Sequence, residues 1–134
     1  MKSVFVLGND YGATIKIAQE VLEPRYRLSY TKDSQDGIAT LQNTSIPMDL
    51  LLIDSNLTRK PTAEAVLLEA QRYRQDIPKL LIVSSGLQKT DDEIDGIIAP
   101  LRERGIENLH YVRKPDFLRQ PHNLATRVAE LIGE

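Results

Sequence analysis

Short unbroken apolar runs, separated by stretches with helical periodicity, organise the chain. Val4–Phe5–Val6–Leu7, Leu50–Leu51–Leu52–Ile53 and Leu80–Leu81–Ile82–Val83 have strand length and end in polar or glycine residues. Leu109 to Val112 predicts a last strand. These four lack the in–out alternation of a half-wet sheet, so they predict strands covered on both faces. Tyr26, Leu28 and Tyr30 alternate with polar residues and predict a strand with one wet face.

Helices fill the gaps. Ile15, Ala18 and Leu22, with Ile17 and Val21, mark a helix over 12–22 that Pro24 stops. Ser34, as N-cap, opens a short helix through Ile38 and Leu41 that ends near Asn43. Pro61 suits a first helical position, with Ala65, Leu68 and Arg72 carrying that helix to Arg74. Thr90 and Glu93 form a capping-box pattern opening a helix towards Arg104, which Pro100 should kink or split, and Gly105 is a natural residue after its end. Asn123 to Ile132 predicts the last helix. The order is strand–helix five times, and right-handed crossovers make that a doubly wound α/β sandwich with a parallel sheet. The expectation is one domain over 1–134 with no output domain; an eight-stranded barrel needs roughly twice the length.

Composition narrows the chemistry. The 134 residues are 41% hydrophobic and 27% charged, an ordinary globular balance. Lys and Arg number 17 against 19 for Asp and Glu, a net charge of −2, so no basic excess favours nucleic acid or an anionic membrane as partner. The apolar runs are far below the ~20 residues of a membrane helix, and Val4–Leu7 is too short for a signal-peptide core. A cytoplasmic location is the expectation. The absence of cysteine excludes disulfides, thiolate zinc sites, iron–sulfur clusters and thiol catalysis. His110 and His122 have no partner at a metal-ligand spacing. Carboxylates, hydroxyls, amines and backbone remain.

In such a sheet, ligands bind beyond the carboxyl ends of the strands, where strand order reverses. The residues there are Asp10, Asp54, Ser84 and Lys114, with Thr31–Lys32 after the second strand. Singly, each has a bland reading: an Asp caps the next helix, and a Lys is solvated. Two carboxylates, a hydroxyl and an ammonium on one edge point to a site.

Those residues carry a resemblance. Asn9–Asp10, Leu51–Leu52–Ile53–Asp54, Val83–Ser84–Ser85 and Tyr111-x-x-Lys114–Pro115 resemble the receiver domains of two-component response regulators, over essentially the full length. The resemblance implies a flavodoxin-like (βα)5 sandwich of strand order 2-1-3-4-5. It implies Asp54 as phosphoacceptor, Lys114 pairing with Asp54 or the incoming phosphoryl oxygens, and Ser84 bonding the attached group. Tyr111 matches the aromatic that turns inward in the active state, though plain strand packing accounts for it equally well. A Mg²⁺ ion is implied between Asp10, Asp54 and the backbone carbonyl of Asn56, a hard cation among oxygens. Implied partners are a histidine kinase or phosphotransfer protein and a downstream protein target.

The chain also departs from that pattern. Laying Val4–Leu7 on the family's first strand leaves Gly8–Asn9 where two acids belong. Counting from Asp10 instead puts Ile17, Ala18, Val21 and Leu22 on the buried face of the first helix, whereas counting from Asn9 buries Lys16 and Glu20. Asp10 is therefore the direct ligand and Asn9 its weaker neighbour, and the missing charge predicts weak Mg²⁺ binding. The loop after Asp54 is basic (Arg59, Lys60) and lacks the family's proline four residues on. Between Ser84 and Lys114 lie 29 residues, a longer stretch than is usual, with the acidic run Asp91–Asp92–Glu93. A homodimer through Val112, Leu118 and Leu124, with Arg113, Arg119 and Arg127 around them, is compatible with the pattern, as is placement of these residues in the core.

Three functions compete: a phosphorylatable receiver, a degenerate receiver that only binds proteins, and another flavodoxin-like protein. A flavin carrier wants a phosphate loop after the first strand, where this chain has the carboxylate of Asp10, and a hydrolase wants a histidine at a strand end.

Overall fold

The computed structural model of the protein describes residues 1–9, 13–57, 60–83 and 90–134. Strands and helices alternate as β1 (Ser3–Leu7), α1 (Thr14–Leu22), β2 (Arg27–Thr31), α2 (Ser34–Gln42), β3 (Leu50–Asp54), α3 (Ala63–Tyr73), β4 (Lys79–Val83), α4 (Asp91–Glu103), β5 (Leu109–Arg113), α5 (Lys114–Arg119) and α6 (His122–Ile132). The strands form one parallel sheet in the order β2-β1-β3-β4-β5. No helix among the described residues is long and apolar enough to cross a membrane.

The unbroken apolar runs hide a period of two. Phe5, Leu7, Leu51, Ile53, Leu81 and Val83 pack with Leu41 of α2, Val66 and Leu67 of α3, and Ile94 and Ile98 of α4. Val4, Val6, Leu50, Leu52, Leu80 and Ile82 face the other way, onto Ile15, Ala18 and Leu22 of α1 and Leu124 and Val128 of α6. Successive strand side chains point to opposite faces, so a strand buried on both must be apolar at every position. β1, β3 and β4 are buried throughout.

Five local expectations change. The cap of α2 is Asp33, whose carboxylate accepts from the Gln35 and Asp36 amides at 2.8 and 3.3 Å, while Ser34 is buried inside the helix. Thr62 caps α3, accepting from the Ala65 amide, so Pro61 precedes the cap. Tyr30 is half exposed because β2 is an edge strand; Tyr26, one residue before it, takes the buried place. α4 runs unbroken through Pro100, because Pro100 and Gly96 both lie on its exposed side, where water can take the carbonyl the proline leaves unpaired. Finally, α5 starts at once where β5 ends. Six residues are too few to hold a helix alone, and this one is anchored by Phe117, which is fully buried.

Candidate functional site at the carboxyl edge of the sheet

β3 is apolar and buried up to its last residue, and that residue is Asp54, with no exposed surface. A carboxylate there must have its oxygens satisfied. The Asn56 amide donates to Oδ1 at 3.2 Å, closing a turn over Ser55. The Thr14 hydroxyl, itself fully buried, donates to Oδ2 at 3.0 Å. The Lys114 ammonium stands 3.6 Å from the same Oδ2, its side chain 14% exposed. That is an ion pair, but longer than a well-formed hydrogen bond.

A missing side chain explains how Thr14 reaches Asp54. A Cβ at Gly8 would lie 2.9 Å from Ile15 Cγ1. With none there, the first turn of α1 settles against the end of β1 and carries Thr14 over the sheet edge.

The first-strand turn supplies a second contact. Asn9, only 7% exposed, donates from Nδ2 to the Asn56 carbonyl at 2.7 Å. A backbone carbonyl only accepts, so the amide orientation is set by its partner. The other end of the group, Oδ1, is buried and has no hydrogen-bond partner among the described residues. The turn 54–56 is thus tied at both ends: the Asn56 N–H to Asp54, and its C=O to Asn9.

Of the residues the sequence singles out, Asp54, Lys114, Asn56 and Asn9 converge. Asp10, Ser84 and Ser85 lie outside the described residues. Tyr111 is partly buried and packs against the core that includes Ile94 and Ile98. The burial of Ile17, Ala18 and Leu22, with Lys16 and Glu20 exposed, is the helix phase obtained by counting from Asp10. Of the apolar residues considered for a dimer face, Leu124 is core, Val112 is partly buried and Leu118 is exposed. A cleft of about 660 Å³ runs beside them, lined by Val112, Arg119 and Arg127 among others.

Sequence reasoning missed Thr14. Its signal was present: Thr14, Ala18 and Leu22 are spaced by four, so a hydroxyl sits at the head of a buried stripe. It also missed the Asn9–Asn56 bond, which joins residues 47 apart.

Oxygens of the described residues near the turn include the Asp54 carboxylate, the Thr14 hydroxyl, the Asn56 carbonyl, which keeps a second lone pair, and the buried Asn9 Oδ1. All are hard donors, and they fit a hard divalent cation. Among the described residues no three acidic or histidine side chains gather at one point, and the charge they bring to the turn is that of Asp54.

No protein-family model matches the sequence, and no curated protein matches it. Solved structures do match. A response regulator receiver domain protein from Methanospirillum hungatei JF-1 superposes with a TM-score of 0.74 at 16% identity, over 99% of this chain and 94% of the other. The fold is that of a response regulator receiver domain. A second example is the receiver domain of a sensor histidine kinase from Pseudomonas aeruginosa PAO1, described with magnesium coordinated in its active-site cleft (TM-score 0.72, 15% identity, 99% and 98% coverage). A third is described as one of a family of streptococcal redox sensors evolved from two-component response regulators. It matches at TM-score 0.71 and 16% identity, and this chain covers 51% of it.

Proposed function

We propose that this receiver fold is a phosphoacceptor in a two-component relay, with Asp54 taking a phosphoryl group from a histidine kinase or phosphotransfer protein. The observation that carries the reading is a fully buried carboxylate at the end of the central strand with the Lys114 ammonium 3.6 Å from one oxygen. An Asp54 oxygen attacks phosphorus in line, a new P–O bond forms, and the donor's bond to phosphorus breaks as its nitrogen or oxygen leaves. Catalysis of this kind is positioning and charge neutralisation. Lys114 moves from the carboxylate to the phosphoryl oxygens, Thr14 and the Asn56 amide hold the carboxylate's orientation, and Ser84 bonds the attached group. Asp54, the Asn56 carbonyl, Asn9 and Asp10 would hold a Mg²⁺ ion, which would supply further neutralisation. The output is protein contact, through the side of the molecule formed by α4, β5 and the helices after it, with Tyr111 as the aromatic that reports the change.

Intact-mass measurement after incubation with Mg²⁺ and acetyl phosphate or phosphoramidate tests this. The expected result is a gain of one phosphoryl group in the wild type and none in Asp54→Asn. A wild type that stays unmodified, or an Asp54→Asn variant modified equally, contradicts it.

One observation favours a second reading, a degenerate receiver that binds proteins without turning over phosphate: the Asn9 amide occupies the Asn56 carbonyl that a cation would use. If the fold serves another signal here, thiol redox chemistry is not among the choices, since the chain has no cysteine.

A further inference from the structure

We propose that the Asn9 carboxamide is a built-in stand-in for a cation, holding the turn after Asp54 in place without metal. The inference rests on the reading of Asp54 as acceptor only in where it puts the cation. A cation at the carboxyl edge would draw the Asn56 carbonyl towards the end of β1. Here an N–H dipole does so, at 2.7 Å, from a residue 93% buried. The same carboxamide leaves Oδ1 buried without a hydrogen-bond partner among the described residues. That is an uncommon cost for a buried polar atom, and it places an oxygen donor beside the turn. A carboxylate at this position has no N–H to give the carbonyl. It would set oxygen against oxygen unless a positive charge lay between them. Asparagine therefore trades cation affinity for a turn that is already formed.

Thermal unfolding of the wild type, Asn9→Asp and Asn9→Ala, each in chelator and in millimolar Mg²⁺, reads this directly. Whatever binds only the native state raises its midpoint. The wild-type midpoint should be nearly the same in both conditions. Asn9→Asp should be lowered in chelator and recover with Mg²⁺, with at least about tenfold tighter apparent Mg²⁺ affinity than the wild type. Asn9→Ala should be lowered in both. A wild type that responds to Mg²⁺ as strongly as Asn9→Asp, or an Asn9→Ala protein as stable as the wild type in chelator, overturns the proposal. Should the variants not fold, nuclear magnetic resonance of the chelated wild type decides it. The Asn9 side-chain amide protons should exchange at least about tenfold more slowly than those of the exposed Asn43; equal rates overturn it. These measurements involve no phosphoryl donor. A protein that passes them but never takes up phosphate loses the proposed function and keeps the stand-in, and the reverse result loses only the stand-in.

Discussion

The two edges of the sheet each bury a charge, and they hold it differently. At the carboxyl edge the contacts to Asp54 among the described residues include two side chains, the Thr14 hydroxyl and the Lys114 ammonium, and the Asn56 main-chain amide. At the opposite edge Lys79 opens β4, fully buried, and its ammonium donates to the carbonyls of Gln75, Ile77 and Glu107 at 3.4, 3.2 and 2.8 Å. Main-chain carbonyls in turns cannot leave without local unfolding. Side chains can rotate away. The Lys79 environment is therefore part of the scaffold, whereas that of Asp54 can be rearranged while the fold stays intact, as the proposed phosphoacceptor role requires.

The largest effect that sharpens this contrast concerns pH. Burial lowers the Lys79 pKa to about 8, against a partial opposing pull from Glu107 and Asp76. Between pH 8 and the ordinary lysine value near 10.5 the unfolded chain binds more protons than the native one, so Lys79 makes stability rise with pH across that window. The full rise is on the order of 3 kcal/mol. Tyr26, whose pKa burial and Glu134 push up, acts in the opposite sense at higher pH. The quantity to measure is therefore the difference between wild type and Lys79→Met in denaturant unfolding from pH 7 to 10.5. Parallel curves would show that Lys79 holds its proton in the native state as firmly as in the unfolded chain, and that its buried place does not lower its pKa.

At the other edge the expected effects are smaller in stability and larger in activity. Lys114→Ala takes the ion pair from the Asp54 carboxylate and keeps its contacts with Thr14 and the Asn56 amide. The loss should be about 1–2 kcal/mol rather than the ~3–5 of a tight buried pair, because the ion pair is long and partly open to water. Phosphoryl uptake should fall at least about tenfold, each 1.36 kcal/mol of lost transition-state stabilisation being worth that factor. An unchanged uptake rate would remove Lys114 from the chemistry. Thr14→Val, nearly the same shape without the donor, should cost about 1 kcal/mol in urea unfolding. Retained stability together with unaltered uptake would make the Thr14 contact incidental.

The scaffold was far more legible in the sequence than the site. Runs such as Leu50–Ile53 admit little but a strand buried on both faces, and Thr90 and Gly105 bound α4 as their local chemistry requires: Thr90 accepts from the Glu93 amide, and Gly105 takes a φ of 93°. Asp54 and Lys114 were legible because a parallel sheet gathers its strand ends. α5 was not, since Phe117 is its single buried anchor and one residue has no period. Lys79 was hidden because a lysine before an apolar run reads as a solvated strand start. Its burial depends on carbonyls from two separate turns, a coincidence of packing that local pattern does not carry. The Asn9 contact was hidden for the same reason. Asparagine looked like an acid with its charge removed, whereas its N–H, which an acid lacks, is what makes the bond.

The central claim is that the Asp54 carboxylate becomes an acyl phosphate. Borohydride reduces such a group to an alcohol, leaving homoserine in place of aspartate. Peptide mass spectrometry of the wild type treated with phosphoryl donor, Mg²⁺ and then borohydride should find homoserine at position 54 and nowhere else, and none without donor. Intact aspartate at 54 after that treatment, or homoserine at another aspartate, would contradict the account.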